Sequence, residues 1–107
     1  MRQTKRVRLE RKGWKIGSVQ ELLQLSDEEV AYIELKLALS HRFKSLREKK
    51  AITQVEMAKL ISSSQSRVAK MESGDPSVSI DLLVKALLAL GATRRQIAGA
   101  MAASRAA

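Results

Sequence analysis

The segment Thr53-Gln-Val-Glu-Met-Ala-Lys-Leu-Ile-Ser-Ser-Ser-Gln-Ser-Arg-Val-Ala-Lys-Met-Glu-Ser-Gly74 decides the fold. Thr53 and Glu56 form a capping box. The Thr53 hydroxyl accepts from the N3 amide, and Glu56 reaches back to the N-cap amide. Ile52 and Met57 stand where a hydrophobic staple belongs, so the spacing predicts a helix from Gln54 to about Leu60 or Ile61. The polar run Ser62-Ser63-Ser64 breaks that pattern. Ser64 can cap a second helix through Ala69 to about Met71, which Gly74-Asp75-Pro76 then ends. Two short helices therefore flank a tight turn.

Working outward, Ser26-Asp-Glu-Glu29 is another capping box, with Leu25 and Val30 as staple, and helix formers run to Lys50 without Gly or Pro. Residues 27–49 would extend roughly 34 Å if unbroken, with Ser40 a place for a kink. Leu35, Leu39, Phe43 and Leu46 share one face, while Val30, Ile33 and Leu37 make another over the first half. Downstream, Ser79 caps a helix from Ile80 to Leu90, which Gly91 stops. Thr93 caps a last Ala-rich helix that frays before Ala107. Upstream, Ser18-Val-Gln-Glu21 opens a short helix to about Gln24. The first sixteen residues hold seven Lys or Arg against one Glu and read as a basic arm. With no strand signal, the expected class is all-α. The expected organisation is an arm over 1–17, a helical extension over 18–38 and a main helical unit over 39–107, together one compact domain.

Composition narrows the function. A chain of 107 residues buries perhaps ~65% of the surface its unfolded form exposes, enough for one core and not for a cleft between lobes. With no Cys and one His, no disulfide, thiolate nucleophile or zinc knuckle is available, and neither metal nor cofactor is expected. His41, between Ser40 and Arg42, has no evident carboxylate partner for acid-base work, so an enzyme is not expected. Asp27, Glu28 and Glu29 are explained as helix N-terminal charges. A net charge of +9 points toward a polyanion. One Trp, one Tyr and one Phe give no stacking platform for RNA, which favours duplex DNA. The stretch Ile80 to Leu90 is too short to span a bilayer and no apolar run follows Met1, so a cytoplasmic, nucleoid-associated protein is expected.

A helix, a short turn and a second helix with a polar start is helix-turn-helix geometry. The segment quoted above, followed by Pro76-Ser-Val-Ser-Ile-Asp-Leu-Leu83, resembles the lambda-repressor-like, XRE-family DNA-binding domain over about Leu39 to Leu90. The TQ opening, the small Ala58, the polar start of the second helix and the Met71-Glu72-Ser73-Gly74 close carry the likeness. Ser62 departs from it where the turn usually has Gly, and Ser63 where a buried aliphatic residue is common. Met57, Ile61, Val68 and Met71 are expected to face the core, leaving Gln65, Ser66 and Lys70 outward.

In the docked geometry of that family the start of the second helix enters the major groove. Gln65 can then pair with adenine N6 and N7, Lys70 can donate to guanine O6 or N7, and Ser66 suits either base. Arg67, Gln54 and Ser64 are expected at phosphates or in mixed contacts. The resemblance also implies an ion pair of Arg47 with Glu72 that ties the first helix to the recognition helix.

The apolar surface of Ile80 to Leu90 calls for further cover, by a homodimer partner on a palindromic operator or by the N-terminal extension. Gly13-Trp14 through Leu23, with Leu25 to Leu37, is similar to the extended regulators that act as HigA-type antitoxins. That resemblance implies a second partner, a ribonuclease toxin of the HigB type, and an operon that regulates itself. The alternative is a module that chiefly neutralises the toxin and binds DNA weakly.

Overall fold

A computed structural model describes residues 21–103. The basic arm, Trp14, the capping box at Ser18 and the fraying end of the last helix lie outside the described residues. Those residues hold five helices and no strand: α1 (Asp27–Lys49), α2 (Gln54–Leu60), α3 (Gln65–Ser73), α4 (Ile80–Ala89) and α5 (Arg94–Ala102). The all-α expectation is met. The chain divides into two units, residues 1–32 and 33–107.

In the first unit, residues 21–23 are helical and Gln24 turns the chain with φ 57°. Ser26 then opens α1. Its hydroxyl accepts from the Glu29 amide at 3.1 Å while the Glu29 carboxylate accepts from the Ser26 amide at 2.8 Å. Three acids in the first turn and two cations in the last suit the helix dipole, and the helix is continuous through Ser40.

The second unit is built on one core. Leu39 and Phe43 of α1, Met57 of α2, Val68 and Met71 of α3, and Leu83 and Leu87 of α4 are all fully buried. Each such side chain contributes roughly 1.5–3 kcal/mol, so no single helix of the unit dominates its stability. Ala58, 4% exposed, keeps α2 and α3 close. The α4 surface finds much of its cover internally: Leu83, Ala86, Leu87 and Leu90 are buried with Val78, Ala92 and Ile97, and Leu88 stays 47% exposed. The second unit takes in α1 from Ile33 onward, where the buried Lys36 donates to the Pro76 carbonyl at 3.0 Å and Leu37 lies against Gly74.

Every turn of this unit is set by local chemistry. Thr53, Ser64, Ser79 and Thr93 each cap the helix that follows. Ser62, with φ 53°, adopts the left-handed conformation that glycine takes without strain, which lets Ser63 N–H reach the Ala58 carbonyl at 2.8 Å. Ala51, with φ 56°, does the same between α1 and α2. Gly74, with φ 76°, closes α3 as a left-handed cap. Beyond it, the Asp75 carboxylate accepts from both the hydroxyl and the amide of Ser77, which holds its pKa below the usual aspartate range.

Two substitutions test these turns. Ser62→Gly relieves a left-handed residue and should stabilise the protein by about 0.5–1 kcal/mol, seen as a thermal midpoint raised by a few degrees. Asp75→Ala should destabilise the protein at neutral pH. Because the lowered pKa makes the carboxylate's contribution present above the ordinary aspartate range, the gap to wild type should close as pH falls through that lowered value. Thermal melts of both proteins over an acid pH series measure it.

Candidate nucleic-acid interface

The α2–turn–α3 unit places four of the six expected contact residues along the outer side of one helix. Gln65, Ser66, Arg67 and Lys70 are all exposed on α3, whose Val68 and Met71 are buried. Ser64 stands just before them as the N-cap, its hydroxyl accepting from the Arg67 amide at 3.1 Å. That bond uses an oxygen lone pair and leaves the Ser64 O–H as a donor. Gln54 sits at the start of α2, half-buried.

Behind this face lies a buried charge pair. The Arg47 guanidinium donates through Nε to Glu72 Oε2 and through Nη2 to Glu72 Oε1 at 3.2 Å, while Nη1 donates to the Ile52 carbonyl at 2.7 Å. The side chains of Arg47 and Glu72 are 11% and 5% exposed. The hydrogen bond to Glu72 raises the Arg47 pKa still further, so the guanidinium stays charged. One fork thus joins α1 to α3 and to the turn before α2.

Gln54 continues the network. Its Nε2 donates to Glu72 Oε1 at 3.1 Å, and its Oε1 accepts from Gln65 Nε2 at 3.2 Å. The direction of each bond follows from chemistry. An ionised carboxylate only accepts, so Gln54 must turn its NH₂ toward Glu72 and its oxygen toward Gln65. Gln65 must then turn its own NH₂ toward Gln54. Its amide is left with one N–H donor and a free carbonyl acceptor, both on the exposed surface.

Gln54, expected from the sequence only as a phosphate contact, thus has a side chain that bridges Glu72 and Gln65. Gln54 lies on α2 while Glu72 and Gln65 lie on α3, 18 and 11 residues away, so only the way α2 packs on α3 could reveal it. Gln54 keeps a second amide hydrogen and its backbone N–H. His41 shares a shallow cleft with Lys44 and Glu72, whose carboxylate is already engaged by Arg47 and Gln54. Among the described residues no three His, Cys, Asp or Glu side chains gather as a metal site.

Residues 43–97 match a family model described as helix-turn-helix. No curated protein and no solved structure matches the chain.

Arg47→Ala leaves Glu72 buried without its partner and should cost roughly 3 kcal/mol of stability by denaturant unfolding. A substitution of the exposed Lys59 should stay within about 0.5 kcal/mol.

Proposed function

Since the chain belongs to the helix-turn-helix family of DNA-binding regulators, of the XRE and lambda-repressor-like kind, we propose that Gln65, Ser66 and Lys70 read base edges in a major groove and that the protein represses its own operon. The observation that carries this is the oriented amide of Gln65. One donor beside one acceptor is what the N7 and N6 groups of adenine require. Glutamine is otherwise free to present either order, and the bond to Gln54 selects one.

Lys70, on the same face, donates to guanine O6 or N7, and Ser66 serves either base. Arg67, the remaining hydrogens of Gln54 and the O–H of Ser64 hold phosphates and set register. α2 contributes its N-terminal amides to the same backbone. Two copies on a palindromic operator multiply the discrimination of one recognition helix. The exposed Leu88 on α4 supports a homodimer of that kind.

A second reading has its own support. Leu22, Leu23 and Tyr32 of the first unit are each about half exposed. This is the segment similar to HigA-type antitoxins, and an apolar surface there suits capture of a HigB-type ribonuclease toxin. In that reading toxin neutralisation is the main task and DNA binding is weak.

Fluorescence anisotropy on the DNA upstream of the gene, against a scrambled duplex, separates the two. Gln65→Ala and Lys70→Ala should each lose about 1–3 kcal/mol on the upstream duplex and almost nothing on the scrambled one. Equal, salt-driven binding of wild type to both duplexes would instead favour the toxin-neutralising reading.

A further inference from the structure

We infer that Lys50, Arg94 and Arg95 form a second DNA contact, a phosphate clamp beside the recognition face. This rests on the DNA reading above but on different residues. Lys50 directly follows α1, and Arg94 and Arg95 are the first two residues of α5. The fold brings these ends together: a Cβ on Gly91, three residues before Arg94, would lie 3.7 Å from Lys50 Nζ.

Three observations point to an anionic backbone as the occupant. All three side chains are exposed, and none makes an ion pair with a described residue. The nearest acid in sequence, Glu48, reaches to Arg47 at 3.9 Å. Arg94 and Arg95 also occupy a first turn that holds no acid. The helix dipole favours anions there, so two cations are held against the local field, and an external anion relieves it.

The patch also adjoins the reading face. Lys50 lies one turn beyond Arg47, whose guanidinium holds Glu72 and the Ile52 carbonyl. Glu72 in turn holds Gln54, and Gln54 holds Gln65. Lys50 also stands four residues before Gln54, at the turn that leads into α2. Continuous duplex has the spaced negative charge to engage both parts at once.

The test uses the full chain carrying Arg94→Glu and Arg95→Glu together. Acids suit a helix N-terminus, so the thermal midpoint should equal or exceed that of wild type, and weaker binding cannot be ascribed to unfolding. Anisotropy titrations at several salt concentrations on the upstream and scrambled duplexes supply the readout. The expected result is a salt slope shallower by about two on both duplexes, near 0.9 for each phosphate that is no longer neutralised. Lys85→Glu, which removes a cation already paired with Asp81 at 3.3 Å, should leave the slope near wild type. An unchanged slope for the double variant would overturn the clamp, as would an equal change per charge in Lys85→Glu. Gln65→Ala distinguishes the two duplexes while the clamp does not, so the two readings fail separately. Absence of binding to either duplex overturns both.

Discussion

The buried pairing of Arg47 with Glu72 is the constraint on which the rest of the unit depends. Taking two charges out of water costs several kcal/mol each, which their attraction offsets only when geometry is good and the remaining polar atoms are satisfied. Both conditions hold here. The guanidinium fork meets both carboxylate oxygens, and its spare nitrogen reaches the Ile52 carbonyl. Glu72 takes one further donor from Gln54. Because any shift of α1, of the turn before α2 or of α3 would strand a charge, the three are locked in one arrangement. The apolar core alone, whose contacts are not directional, would tolerate small slips.

A second buried cation on α1 plays a comparable part. Lys36 lies three helical turns before Arg47 on the same face and holds the Pro76 carbonyl. Arg47 thus fixes Glu72, near the end of α3, while Lys36 fixes the chain just after that end. Gly74 sits between them, its left-handed cap packed beside Leu37. α3 is held from behind by charge and from below by Val68 and Met71.

What could be read in the sequence follows the range of each interaction. Capping boxes act over three residues, so Thr53, Ser64, Ser79 and Thr93 were visible as helix starts, and Gly74 as a stop. The departure at Ser62 was visible too, and the backbone there is left-handed as a glycine's would be. Arg47 and Glu72 became a pair only through family resemblance, since 25 residues separate them and each alone passes for a surface charge. The bridge through Gln54 lay beyond sequence reasoning because it depends on how α2 crosses α3. The cover for α4 is hard to read in the sequence for a similar reason. Val78, Ala92 and Ile97 are single apolar residues with no periodic signal, yet they close much of the surface that seemed to need an outside partner.

The two left-handed residues Ala51 and Ser62 bracket α2, which is only seven residues long. Each holds an unfavourable backbone conformation worth about 1 kcal/mol, and α2 leaves Val55 and Leu60 about half exposed. A short helix strained at both ends and buried mainly through Met57 and Ala58 is open to local unfolding. Its amides should exchange with solvent before those of α1 or α4. Gln54 leaves with it, so each opening also frees the amide of Gln65 to turn over. Binding a duplex that grips Gln54 and Gln65 together would suppress that opening, and part of its affinity would be spent on ordering α2.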